Sequence, residues 1–422
     1  KCSRTVSVNA QDSVLANLVS HRCRKDLMQV HVSTSSMTFE EALSAAREGP
    51  PTRPIASRLI RAIPGDELDA LLESAVELQD QFKHRRITYS KKVFIPLTNL
   101  CRDYCGYCTF RKDPGQLGAR TMMPDEVLAV AEAGARLGCK EALFSLGDRP
   151  EAIFPEMRET LARLGHRTTL SYLAEMCQRV LNETGLLPHA NPGLMGKRDL
   201  ETLRQFNPSM GLMLESTSER LTQPGMAHDN APDKPPSLRL KTIEEAGRLK
   251  IPFTTGILIG IGETLDERVD SLFEIRELHR RYNHIQEVII QNFRAKNEIP
   301  MRDHPEPSKA DHARTIAVAR LVLREMNVQA PPNLSDDDYP LLLRAGLNDW
   351  GGISPLTPDF INPEKPWPHI ERLGERTAAA GFELAERLSV YPEYVNRDAF
   401  IDVTLRAPVR AKADHRGYAK DE

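Results

Sequence analysis

From Lys92 onwards, short apolar runs alternate with helical patterns, and that alternation confines the chain to an α/β fold with a parallel sheet. The runs fall at residues 93–97, 142–146, 186–190, 210–214, 253–259, 287–291 and 328–330, with a fainter one at 350–354. Helical periodicity fills the intervals at 124–137, 168–182, 198–206, 242–250, 265–282 and 309–325, and follows the last run at 370–388. Eight strand–helix units predict a (β/α)8 barrel of the TIM type, expected over residues 91–390. A doubly wound open sheet is the alternative. Its glycine-rich phosphate loop belongs after the first strand, where this chain has cysteines.

Residues 28–90 predict a helical N-terminal extension. Thr38 and Phe39 open one amphipathic helix, and Leu68, Leu71, Leu72, Ala75 and Leu78 mark a longer one after Gly65. Residues 391–422 carry Pro408, several charges and one short apolar run at 400–405, so a C-terminal tail or linker is expected there. Residues 1–27 precede the first methionine, Met28, and form a doubtful leader. They have serine and arginine with little acid, as an organelle transit peptide does, but no apolar core of a secretory signal. An over-extended gene model or a fragment of a longer chain is the simpler reading.

The charge balance excludes some functions. Of 422 residues, 56 are basic and 59 acidic, for a net charge of −3, so no nucleic-acid partner held by bulk basicity is expected. The longest apolar stretch, at residues 257–261, is broken by glycine and far too short to cross a bilayer, so no membrane partner is expected. A cytoplasmic location follows, or an organellar one if residues 1–27 are a real leader.

Three of the seven cysteines, Cys101, Cys105 and Cys108, crowd into the loop after the first strand with C-x3-C-x2-C spacing. Barrel enzymes place their chemistry at that end of the strands. Three thiolates on so short a loop can converge on one metal centre. A structural zinc site needs a fourth ligand, and the nearest candidates, Cys139 and His166, stand alone on separate elements. A cubane iron–sulfur cluster held by three cysteines leaves one iron open. A zinc knuckle and a non-catalytic metal-binding scaffold are the alternatives. Cys139 and Cys177 read as small buried hydrophobes, and Cys2 and Cys23 fall in the leader.

This loop resembles the radical S-adenosylmethionine (SAM) motif C-x3-C-x-aromatic-C, with Tyr107 as the aromatic. The resemblance implies a [4Fe–4S] cluster on the three cysteines and SAM on the open iron. It also implies SAM contacts elsewhere. Gly147 and Asp148 stand where relatives hold the SAM amino group. Glu215 or Ser216 suits the ribose, and Gly260 and Ile261, in a G-x-x-x-G-x-x-E stretch, suit adenine. That stretch fits neither a dinucleotide loop nor a P-loop, because Leu265 stands where a glycine is needed and no Gly-Lys-Ser or Gly-Lys-Thr follows. His189 and Asn191 alternate on the third strand and therefore share a face.

The cysteine loop, together with the stretches 147–151, 188–193 and 348–359, resembles the FO synthase family over residues 37–400. Gly106 and Tyr107 between the last two cysteines resemble subunit 1, or the N-terminal half of the fused form. The sister subunit typically has Lys-Phe there. The resemblance implies a radical SAM ammonia lyase of coenzyme F-420 biosynthesis. Such an enzyme makes the 7,8-didemethyl-8-hydroxy-5-deazariboflavin chromophore from a 4-hydroxybenzyl–ribityliminouracil adduct. It also implies an electron donor and the sister FO synthase subunit or domain as partners. The alternatives are the sister itself, which couples tyrosine to 5-amino-6-ribitylaminouracil, and another radical SAM enzyme. Asn99, His189, Asn191, Asn292 and Asp349, each at a strand end or on an inward face, are the candidate substrate contacts. Spacing assigns no general base.

Overall fold

The computed structural model describes residues 37–335 and 338–420, so the leader at 1–27 lies outside the described residues. Nine strands, all parallel, form one sheet: β1 (Arg86–Pro96), β2 (Glu141–Ser145), β3 (Leu187–Asn191), β4 (Ser209–Gly211), β5 (Phe253–Ile259), β6 (Ile285–Asn292), β7 (Val328–Gln329), β8 (Asp349–Ile353) and β9 (Glu383–Glu386). β1 to β8 pair in sequence order, and β1 pairs with both β8 and β2, which closes an eight-stranded barrel. The barrel expectation holds.

Closure depends on the length of β1. Its second half, from Lys92 to Pro96, pairs with β2, while its first half, from Arg86 to Tyr89, pairs with β9. The apolar run showed only the second half, because the first faces inward with Thr88 and Ser90. Those hydroxyls bond the buried carboxylates of Asp349 and Glu141. A barrel interior that holds paired polar groups does not read as an apolar strand.

Among the described residues, three helices, Phe39–Glu48, Arg53–Leu59 and Asp66–Lys83, precede β1, and the last packs on helix Lys309–Leu323. Gly346 sits at that contact, where a Cβ would come within 2.7 Å of the Ala75 carbonyl oxygen.

Two expectations are corrected. The single helix expected over 370–388 stops at Ala379. Gly381 turns the chain at φ +82°, and β9 follows. The expected tail also folds. Val390, Tyr391, Tyr394, Val395, Ile401, Leu405 and Val409 form a buried cluster with Leu187 and Leu388, carried by short helices at Pro392–Val395 and Arg406–Lys412. Their apolar side chains are scattered among prolines and charges, so no single periodic run announced the cluster.

Candidate active site at the carboxyl end of the barrel

The loop leaving β1 folds back on itself before it presents its cysteines. Thr98 bridges Thr121 and Leu100 bridges Lys112. Asn99 clamps the same turn, donating from Nδ2 to the Gly118 carbonyl at 2.8 Å and accepting the Arg120 N–H at 2.8 Å. Asn99 is therefore spent on the loop and lines neither of the cavities described below.

Cys101, Cys105 and Cys108 all open onto one cavity of about 270 Å³, shared with Tyr107, Gly147, Asp148 and Glu215. Cys101 Sγ accepts main-chain N–H groups from Asp103 (3.4 Å) and Asp148 (3.2 Å), contacts that favour a thiolate. Gly147 makes this possible: a Cβ there would lie 2.0 Å from the Leu100 carbonyl oxygen and 2.6 Å from Cys101 Cβ. Burial pushes the Cys101 thiol up to about 12 and raises Cys105 as well. Buried thiols of this kind ionise when a cation takes the proton's place, so the donor set fits a thiophilic metal centre.

Asp148 closes the next side of the cavity. Its Oδ2 accepts the Leu194 N–H at 2.9 Å, and Gly193 leaves it room, since a Cβ there would lie 2.1 Å away. Burial and the neighbouring Asp233 push its carboxyl up to about 7. Asp233 is itself neutralised by Arg102 at 2.7 Å and Arg149 at 2.5 Å.

Glu215 adopts φ +68° as its backbone bridges Ile257 of β5. Burial alone would raise its carboxyl, but Lys234 at 2.6 Å and Arg239 at 3.9 Å hold it below the usual carboxylate range. Lys234 also lies over the Tyr107 ring, 5.8 Å from its centre, and the Tyr107 hydroxyl meets His228 Nε2 at 3.1 Å.

Three of the residues expected to contact SAM stand behind this cavity's lining. Ser216, Gly260 and Ile261 do not line the cavity. The N–H groups of Gly260 and Ile261 donate to the Glu263 carboxylate at 2.7 and 2.9 Å, and Ile261 packs in an apolar cluster with Leu258, Phe293 and Tyr107. The two residues back the wall rather than form it. Ser216 Oγ accepts the Ser218 N–H at 3.1 Å.

A second chamber of about 210 Å³ lies inside the barrel and shares Ser145, Asn191, Met213, Gln291, Ile361 and Asn362 with the first. His189 and Asn191 line it, as do Lys92, Glu141, Gln329 and Arg387. Asn292 lines the cluster-side cavity, donating from Nδ2 to the Leu334 carbonyl at 3.2 Å, while its buried Oδ1 has no partner among the described residues. Asp349 is fully buried outside the chamber wall, where it accepts from Arg387 Nε at 2.6 Å. Gly351 and Gly352 do reach the wall. Each is a close approach, since a Cβ would lie 2.2 Å from Gln329 Nε2 and 2.4 Å from Lys92 Cε respectively.

The segment after β8 roofs the chamber. Thr357 Oγ1 accepts the Phe94 N–H at 2.9 Å, and Trp367 stacks on Phe94 with ring centres 5.0 Å apart. Ile361 ties this roof to the cysteine loop, because its carbonyl accepts from Thr109 Oγ1 (2.7 Å) and Lys296 Nζ (2.8 Å). Sequence reasoning missed Lys92, Glu141, Lys234, Arg239, Lys296 and Arg387. Each meets its partner from another strand or loop, so local pattern held no signal for them.

The radical SAM superfamily model matches residues 95–275, from the end of β1 to within the helix after β5. The 7,8-didemethyl-8-hydroxy-5-deazariboflavin synthase of Methanopyrus kandleri is 51% identical over 334 residues, 79% of this chain and 100% of that protein. The chain belongs to the FO synthase family. FO synthases of Mycobacterium tuberculosis and Streptomyces avermitilis are each 49% identical, over 92% and 89% of this chain but only 47% and 45% of their own lengths. The chain thus spans about half of those longer relatives. Among solved structures, HydG, a maturase of the [FeFe]-hydrogenase, has a TM-score of 0.68 at 15% identity, covering 89% of this chain and 80% of its own. Methylornithine synthase gives 0.63 at 20% identity, covering 82% and 97%. These two show the barrel fold shared with the FO synthase family chain, and at such identity the fold alone. Membership makes the protein a radical SAM enzyme, a class that uses a [4Fe–4S] cluster and SAM.

Proposed function

We propose that the chain is an FO-forming radical SAM lyase, which closes the deazaflavin ring of a 4-hydroxybenzyl–ribityliminouracil adduct with loss of ammonia. The observation that carries this reading is the joining of two chambers. The three cysteines open onto the outer one, and an inner one, lined by charged and amide side chains as well as Phe94, Trp350 and Trp367, continues from it through Asn191 and Gln291. The outer chamber suits a cofactor beside the cysteines, and the inner one suits a small organic substrate.

Cys101, Cys105 and Cys108 would hold the cluster, with Tyr107, Gly147, Asp148 and Glu215 around the bound SAM. When bound there, cluster and SAM supply an electron and a 5′-deoxyadenosyl radical. The chain's own residues do the rest. Asp148, fixed by the Leu194 N–H, offers a carboxylate edge to an ammonium. Glu215, kept ionised by Lys234 and Arg239, offers an acceptor to hydroxyls. The roof from Thr357 to Trp367 closes the inner chamber, which keeps water from a reactive intermediate.

An electron donor and the sister FO synthase subunit or domain are the partners this reading requires. The test is anaerobic reconstitution of the wild type and of Cys101→Ala, Cys105→Ala, Cys108→Ala and Cys139→Ala, followed by assay for 5′-deoxyadenosine. Loss in the first three variants with retention in Cys139→Ala supports the ligand set. Cluster loss in Cys139→Ala contradicts it.

A further inference from the structure

The hydrogen-bond directions around His189 fix its tautomer. Ser209 is its register partner on β4. The Ser389 main-chain oxygen carries no hydrogen, so Ser209 Oγ donates to it, at 2.7 Å. With its single hydrogen spent, Ser209 Oγ can only accept from His189 Nδ1, 2.8 Å away. The ring hydrogen is therefore on Nδ1, and Nε2 keeps a bare lone pair. Nε2 has no hydrogen-bond partner among the described residues, although His189 lines the inner chamber. Gly211 leaves the space beside it, since a Cβ there would lie 3.1 Å from Nε2. Nε2 is thus an acceptor that opens onto an enclosed chamber with no protein donor in front of it, and such an atom marks where a ligand hydrogen can be received.

We propose that His189 Nε2 accepts a hydrogen from an O–H or N–H of the ribityl-bearing pyrimidine half of the substrate. This seats that half in the inner chamber and turns the hydroxybenzyl half toward the cysteine loop. The inference rests on the adduct reading given above. The inner wall favours the polar half: beside His189 stand Lys92, Glu141 and Gln329, whose buried Oε1 also has no partner among the described residues. A hydroxylated chain and a pyrimidinedione both donate and accept, whereas a hydroxybenzyl group has a single polar atom.

The neighbourhood keeps the ring an acceptor rather than a base. Burial pushes the imidazole down to about 4. Glu141 opposes that, while Lys92 and Arg387 reinforce it. Glu287 and Asp359 complete the charged groups on this wall. A ring so reluctant to bind a proton stays neutral at physiological pH. His189 is thus a specificity residue that reads a donor without taking its proton.

The test is calorimetric titration of the reconstituted holoenzyme with 5-amino-6-ribitylaminouracil and, separately, with p-cresol. His189→Phe is expected to weaken the ribityl compound by about 10- to 100-fold and leave p-cresol unchanged. His189→Gln, whose amide oxygen still accepts, is expected to restore much of the loss. Wild-type affinity is expected to be flat between about pH 6 and 8. Three results overturn the proposal: wild-type affinity in His189→Phe, an equal loss for both ligands, or affinity that falls as an ordinary histidine protonates. Should the variants not fold, the wild type decides. An analogue with methyl in place of ribityl and with its ring N–H groups methylated must bind about tenfold more weakly or worse, and equal binding overturns the proposal. The two readings fail separately. Histidine-dependent binding without conversion of the adduct sinks the lyase reading alone, and conversion without that dependence sinks this one alone.

Discussion

Lys92 and Glu141 are register partners across the seam where β1 closes on β2, and their side chains pair at 2.7 Å with both almost wholly buried. The pair sits on the wall of the inner chamber, so the bond that closes the barrel also shapes its interior. Ser90 adds a second hydrogen bond to the same carboxylate. Removing one partner leaves a buried charge alone. Glu141→Ala or Lys92→Ala is therefore expected to lose about 3–5 kcal/mol in urea unfolding. A Lys92→Met, Glu141→Leu double variant should lose less than either single change, because no charge is stranded. A double variant worse than both singles would contradict the buried-pair account.

Gly147→Ala places a methyl against the Leu100 carbonyl oxygen and Cys101. The expected outcome is a folded barrel by circular dichroism with little cluster absorbance after reconstitution. Normal cluster loading in this variant would mean that the loop does not depend on the close approach.

Stability should fall as the medium is acidified. His189, His279 and His312 are each pushed down to about 4, and His228 and His284 to about 3, with burial the leading cause in all five. In the unfolded chain these rings titrate near 6.5. Between roughly pH 6.5 and 4 the unfolded state therefore binds more protons, and stability is lost as pH falls. Asp148, raised to about 7, acts in the opposite sense, losing stability as pH rises from its unfolded value toward 7. Asp103, Glu287 and Glu386, raised by burial, act in the same sense as Asp148, while Glu141 and Glu215, lowered by their cationic partners, act with the histidines. The urea midpoint is expected to be lower at about pH 5 than at 7, with the slope reduced by about one proton in His312→Gln. An unchanged midpoint would show that these rings are not buried neutral.

Trp367→Ala removes the stack on Phe94 and the 3.0 Å bond from Nε1 to the Thr357 carbonyl. With the roof loosened, KM for the adduct is expected to rise by about tenfold or more, while SAM affinity changes little. An equal fall in SAM affinity would place Trp367 at the outer chamber instead.

Legibility in the sequence followed the distance between interacting residues. The cysteine loop was readable because its three thiols are neighbours on one turn, and the barrel because each strand–helix unit carries its own periodicity. Lys92 with Glu141, Lys234 with Glu215, and Arg387 with Asp349 were not readable, since each pair meets only when distant segments are brought together. Gly260 and Asn99 show the converse. Both had the right residue type near a strand end, but Glu263 takes the Gly260 N–H and the Gly118–Arg120 turn takes Asn99. A strand-end position brings a residue near the site, and its hydrogen-bond partners decide which of its polar atoms are already engaged.

The most direct test of the account is product analysis with the anaerobically reconstituted protein, SAM, a reductant and one candidate substrate at a time. The account predicts that the 4-hydroxybenzyl–ribityliminouracil adduct is consumed, that ammonia and 5′-deoxyadenosine appear, and that deazaflavin fluorescence develops. Free tyrosine with 5-amino-6-ribitylaminouracil should be left untouched. Consumption of tyrosine with the adduct left unchanged would contradict the account and identify the chain as the sister activity.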